Sequence, residues 1–87
     1  MKLKWFNPLD RLFGPLSEIN TTEPITVGRL LTRLAEKQPN FLPFARFSPG
    51  DKQPHGLMVW RGGQALSLAD ELNPEDELEM IIMVAGG

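Results

Sequence analysis

From Thr26 onward the apolar side chains Val27, Leu30, Leu31 and Leu34 fall at i, i+3, i+4 and i+7, a single stripe along one face of a helix. Thr26 is placed to cap the first turn, Ile25 before it can pack on Leu30, and Pro39 closes the run. A helix this short is not stable in water by itself. Burying its four apolar side chains contributes on the order of 6–12 kcal/mol before entropy, at about 1.5–3 kcal/mol each. The stripe therefore demands a sheet beneath it. At 87 residues the chain can bury roughly 60–65% of its unfolded surface, which leaves no room for a second core. Residues 1–87 are read as one domain.

The rest of the chain supplies strands. Lys2 to Asn7 alternates, with Leu3 and Trp5 on one face, as a first strand. Asn7 suits an N-cap and Pro8 the first helical position, so Pro8 to Phe13 reads as a short helix stopped by Gly14-Pro15. Ser17 to Thr22 reads as a second strand. Residues 38–56 hold four prolines and Phe41, Phe44 and Phe47; a helical turn, an extra strand or an apolar lid all fit them. Leu57 to Trp60 and Gln64 to Leu66 flank Arg61-Gly62-Gly63 as a hairpin. Ser67 to Leu72 suggests a one-turn helix or a loop. After the turn Asn73-Pro74-Glu75-Asp76 a last strand puts Leu78, Met80, Ile82 and Val84 on the core face. Its other face turns from Glu77 and Glu79 to Ile81 and Met83. With a helix on one side of the sheet only, those two side chains are exposed as a docking surface; a sheet covered on both faces would explain them without function.

Composition removes several function classes. The chain has no cysteine, so it offers no disulfide, no persulfide and no thiolate metal site. His55 is the only histidine and lacks neighbouring ligands, so no metal site is expected. Asp70 and Glu71, like Glu75 and Asp76, have no His, Cys or Lys partner nearby, so the chain is not expected to catalyse alone. Its nine basic residues are dispersed over residues 1–61, which argues against nucleic-acid binding. Apolar runs are too short to span a bilayer, and Met1-Lys2-Leu3-Lys4 leads into a strand pattern rather than an export signal. A cytoplasmic location is expected. Residues 62–87 carry six acidic side chains and no Lys or Arg. Such a field would steer the end of the chain toward a basic cleft, although turn chemistry explains much of it equally well.

The last strand runs into Gly86-Gly87. Glycine enters clefts too narrow for a side chain, and from Val84 to Gly87 an extended chain spans roughly 13 Å. The end can thus reach a partner's active site while the body stays outside. A carboxylate there needs activation, for instance by adenylation, and the chain has no nucleotide-binding loop, so activation falls to a partner. A frayed end is the alternative.

Four segments together resemble the ubiquitin-like β-grasp sulfur carriers, the MoaD and ThiS family. They are Trp5-Phe-Asn-Pro-Leu-Asp-Arg-Leu-Phe-Gly14, similar to the first strand and short helix of the MoaD type; Ile25-Thr-Val-Gly-Arg-Leu-Leu31; Val59-Trp-Arg-Gly-Gly63; and Leu72 through Gly87. Residues 38–56 depart most from the family pattern. Tails in the family also commonly carry proline where Ile82-Met83 here continues the strand.

The resemblance implies an α+β fold, a mixed β-grasp sheet packed on one long helix with short extra helices. It implies that an E1-like enzyme of the MoeB/ThiF type adenylates Gly87 with ATP, and that sulfur then replaces AMP to leave a thiocarboxylate. No cofactor would be bound by the chain itself. Gly86 and Ala85 would keep the approach narrow, and Ile81, Met83, Val84 and Trp60 would contact partners. For the MoaD type the acceptor is the large subunit of molybdopterin synthase. Sulfur supply for thiamin, cysteine or tRNA thiolation, and conjugation to other proteins as a modifier, use the same terminus.

Overall fold

The computed structural model describes residues 1–82. Strand β1 (Lys2–Trp5) leads into helix α1 (Leu9–Phe13) and strand β2 (Leu16–Glu18). Strand β3 (Ile25–Thr26) opens directly into α2 (Val27–Lys37), followed by a 3-10 helix over Pro39–Phe44. Strands β4 (Leu57–Arg61), β5 (Gln64–Ala65), β6 (Glu71–Leu72) and β7 (Glu77–Ile82) complete the order.

Five strands form one mixed sheet in the order β2-β1-β7-β4-β5, with β1 and β7 parallel and the other neighbours antiparallel. Period-two alternation puts Leu3 and Trp5, Leu57 and Val59, and Leu78 and Met80 on one face, all buried. They form a single core with Val27, Leu30, Leu31 and Leu34 of α2. The helical stripe therefore meets the sheet it required. Thr26 caps α2, its Oγ1 accepting from the Arg29 amide at 3.2 Å.

The Ser67–Leu72 segment forms no helical turn, and α2 supplies the reason. The Val27 and Gly28 amides, unpaired at the start of a helix, donate to the Asp70 and Leu68 carbonyls at 3.0 Å each. Those carbonyls lie just before β6, which pairs with β3 as Ile25↔Leu72 and Thr26↔Glu71. A turn in which Asp70 Oδ2 accepts from the Ser67 amide at 2.8 Å precedes it.

Several boundaries differ from expectation: β1 ends at Trp5 rather than Asn7, β2 starts at Leu16 rather than Ser17, and β4 runs on to Arg61. Helix α1 begins at Leu9 with no cap from Asn7; the Phe6 carbonyl accepts from the Leu9 and Asp10 amides instead, at 2.8 and 3.3 Å. Strand β2 ends at Glu18 rather than Thr22, extended only by the paired Met1 and Ile19 backbones before the chain turns toward β3. Strand β5 ends at Ala65, but the Leu66 amide still donates to the Val59 carbonyl of β4 at 2.8 Å while its side chain is buried in the core.

In residues 38–56 the helical turn is realised at Pro39–Phe44. Phe41 is buried, and its ring lies 5.7 Å from Trp5 and 5.5 Å from Phe13, with Phe44 at 6.4 Å. This aromatic cluster ties α1 to the 3-10 helix. The remainder is a closed loop. Arg46 and His55 bridge its ends, Asp51 Oδ2 accepts from the Ser48 amide at 2.8 Å and stands 3.1 Å from His55 Nε2, and the Phe47 ring rests over Gly28.

Candidate functional site

Strand β7 lies in the middle of the sheet, and its ladder is filled on both sides. It pairs with β1 from Lys2↔Glu77 to Trp5↔Met80, and with β4 from Trp60↔Glu79 to Leu57↔Ile82. The Phe6 amide adds a bond to the Met80 carbonyl at 3.1 Å. Pairing thus continues to Ile82, the last described residue. Met83, Val84, Ala85, Gly86 and Gly87, all singled out from the sequence, lie outside the described residues.

The face of the sheet turned away from α2 carries the other two candidates. Ile81 stands opposite Met58, and Trp60 opposite Glu79, so Ile81 and Trp60 are diagonal neighbours on one face. Both are half-buried rather than fully exposed, because Met58 and the adjoining strands shield them. The Trp60 Nε1 is buried and has no hydrogen-bond partner among the described residues. Met58 belongs to this surface and was not singled out; its place two residues before Trp60 is the period-two signal that marks it. On β1 the Lys4 ammonium stands 5.4 Å from the centre of the Phe6 ring.

Toward the opposite end the same face is charged. Lys2 stands opposite Glu77 and Lys4 opposite Glu79. An open depression of about 400 Å³ there is lined by Lys2, Lys4, Leu16, Gly62, Glu77 and Glu79. The acidic second half of the sequence is therefore not one acidic surface. Parallel pairing sets two of its glutamates against lysines, and Arg61 Nη1 donates to Asp76 Oδ2 at 2.8 Å. Partial burial pushes the Asp76 carboxyl up, and the Asn73 amide and the Arg61 guanidinium more than offset this, leaving it below the ordinary aspartate value.

Among the described residues no group of three or more His, Cys, Asp or Glu side chains could hold a metal, and His55 is engaged with Asp51. Asp51 sits below its usual value because it accepts from the Ser48 amide and from His55. No described helix is long and apolar enough to cross a membrane. What the geometry offers is a rigid central strand with a part-apolar face beside its end.

Residues 4–87 match the ThiS family. This chain belongs to that family of ubiquitin-like β-grasp sulfur carriers. The crystal structure of SAMP1 from Haloferax volcanii superposes with a TM-score of 0.73 at 26% identity, covering 100% of this chain and 98% of SAMP1. No curated protein sequence matches it. The fold is accordingly the β-grasp, a mixed sheet over one long helix, and proteins of the ThiS family generally act with E1-like activating enzymes.

Proposed function

We propose that this chain is a sulfur carrier whose Gly87 carboxylate is activated by an E1-like enzyme and converted to a thiocarboxylate for molybdopterin synthesis. The observation that carries the reading is the placement of β7, a central strand paired with β1 up to Met80 and with β4 up to Ile82, with the Gly-Gly sequence following within a few residues.

In the first step Gly87 oxygen attacks the α-phosphate of ATP in the partner, and pyrophosphate leaves. A sulfide equivalent from the partner's donor then attacks the acyl carbon and AMP leaves, so the carboxylate has exchanged one oxygen for sulfur. This chain contributes position rather than acid–base chemistry. Gly86 and Ala85 keep the approach slender, Met83 and Val84 link it to the strand, and Ile81 and Trp60, with Met58, dock on the enzyme. ATP is bound by the partner, and this chain needs no cofactor of its own. The large subunit of molybdopterin synthase is the proposed sulfur acceptor. Helix α1 supports that pathway over the smaller thiamin type, because Leu9–Phe13 forms the short helix expected of MoaD-like chains and is anchored through the contact of Phe13 with Trp5 at 4.8 Å.

Intact mass spectrometry of the untagged protein from its own cells tests this. A mass gain equal to the exchange of oxygen for sulfur, fragmenting to Gly87 and lost on deletion of Gly86-Gly87, supports the carrier. The family match and the likeness to SAMP1 also support a second reading, conjugation to other proteins. Free carboxylate together with high-mass conjugates would select that reading instead.

A further inference from the structure

On the outer face of the sheet the strand register sets two columns of opposite charge side by side. Lys2 and Lys4 of β1 stand beside Glu77 and Glu79 of β7. The flanking strands extend one row in both directions, because Leu16 of β2 opposes Lys4 and Trp60 of β4 opposes Glu79. From β2 to β4 that row is therefore Leu16, Lys4, Glu79, Trp60: apolar, positive, negative, apolar. Leu16 is 60% exposed, and Lys2, Lys4 and Glu77 are exposed as well. The ion pairs among the described residues are His55 with Asp51 and Arg61 with Asp76, so the two columns are not joined to each other. The Lys4 ammonium stands instead over Phe6, farther along its own strand.

Such a row is its own complement. A two-fold axis between two of these faces, parallel to the strands and midway between β1 and β7, keeps each residue at its height along the strand and exchanges left with right. Lys4 of one copy then faces Glu79 of the other, Lys2 faces Glu77, and Leu16 faces Trp60. Packed sheets stand about 10 Å apart, a gap that lysine and glutamate close from its two sides. Their strands cross at about 30° because each sheet is twisted, and the mismatch this brings is smallest beside the axis, where the four charges lie. Glu18, in the row of Lys2, comes over the turn at Gly62, which has no side chain to oppose it. A partner of a single sign would satisfy one column and be repelled by the other, whereas a second copy satisfies both.

We infer that this face pairs with the same face of a second copy of the chain, in a two-fold dimer that sets Lys2 and Lys4 of each copy on Glu77 and Glu79 of the other and packs Leu16 on Trp60. So few contacts make a weak, exchanging dimer. Self-pairing stands independently of the carrier chemistry but competes with it. Trp60 cannot be covered by a second copy and by an activating enzyme at once, so the dimer is a reserve form that the enzyme must draw from.

The test is sedimentation velocity and 15N NMR of the full-length protein over roughly 10 µM to 1 mM, at low and at high salt. The expected result is a salt-sensitive dimer whose concentration-dependent shifts centre on Lys4, Leu16, Trp60 and Glu79. Lys4→Glu makes both columns acidic in that row, and Glu79→Lys makes both basic. Each variant alone should lose about tenfold or more in self-association, while an equimolar mixture of the two should recover it as a heterodimer. Should either variant fail to fold by circular dichroism, Leu16→Asn takes its place, at a position already exposed, and should weaken the dimer roughly three-fold or more. A chain that stays monomeric throughout this range at low salt would overturn the pairing. So would a mixture that associates no more tightly than its components, or shifts centred on α2 or around Leu12 and Leu42.

Discussion

Arg61 Nη1 lies 2.8 Å from Asp76 Oδ2 and donates at 3.0 Å to the Glu71 carbonyl. One guanidinium thus joins the end of β4 to β6 and to the turn that launches β7. Asp76 Oδ2 also accepts from the Asn73 amide at 2.9 Å, and the Asp76 carbonyl accepts from the Lys2 amide at 3.0 Å. The register of the central strand is pinned at its start by these contacts.

Asp76→Ala should cost about 1–2 kcal/mol, the loss of a turn hydrogen bond plus one charge-assisted contact, lowered from the buried range because the pair is part-exposed. The sign with pH follows from its depressed folded value. The stabilisation is present above the unfolded value of 3.8 and is lost as pH falls through the lower folded value. Urea denaturation across the acid range should show a falling arm in the wild type that is shallower in Asp76→Asn. Parallel arms would remove Asp76 from the account.

Gly28→Ala should be neutral or stabilising, by up to about 1 kcal/mol. A Cβ there would stand 3.5 Å from both the Leu68 carbonyl oxygen and the Phe47 ring, ordinary contact distances, while alanine restricts the unfolded chain and favours the helix. A lowered urea midpoint would mean that Phe47 and the loop behind it cannot give even this much room.

The two hairpin glycines should respond differently from Gly28. Gly62 and Gly63 have φ of 59° and 82°, the turn between the paired residues Arg61 and Gln64. Gly63→Val should cost about 1–2 kcal/mol or more, since a β-branched residue is poorly tolerated at positive φ. Gly62→Asn should stay within about 0.5 kcal/mol of wild type, because asparagine tolerates that region. Comparing urea midpoints of the two variants checks the turn without removing any side-chain contact.

These responses track what could be read in advance. The α2 stripe and the Gly62-Gly63 hairpin were legible because each is a local pattern, a helical period and a two-residue turn. Strands β3 and β6 were not, since two residues carry no period and each pairs only with the other. The cap at α1 went to the Phe6 carbonyl, an invisible competitor for the role assigned to Asn7. Phe41 and Phe44 were ambiguous because Pro39 and Pro43 interrupt any period, and their packing depends on Trp5 and Phe13, distant in sequence. At the candidate site Trp60 and Ile81 were found by alternation. Their adjacency depended on the antiparallel contact of β4 with β7, and the pairing of Lys2 and Lys4 against Glu77 and Glu79 on the parallel contact of β1 with β7; no local pattern announces either.

Ile81→Asp should separate docking from chemistry. Ile81 lies on the face away from α2, half-buried against Met58, so a carboxylate there faces solvent and the fold should persist by circular dichroism. If this face docks on the activating enzyme, the variant introduces a charge that must be desolvated at the contact. Carrier-dependent ATP–pyrophosphate exchange should then show KM raised about tenfold or more, equivalent to about 1.4 kcal/mol, with kcat nearly unchanged because the reacting terminus is intact. Deleting Gly86-Gly87 should do the reverse, abolishing turnover while the deleted protein still competes with the wild type for the enzyme. An Ile81→Asp protein activated with unchanged kcat/KM would take Ile81 out of the docking contact.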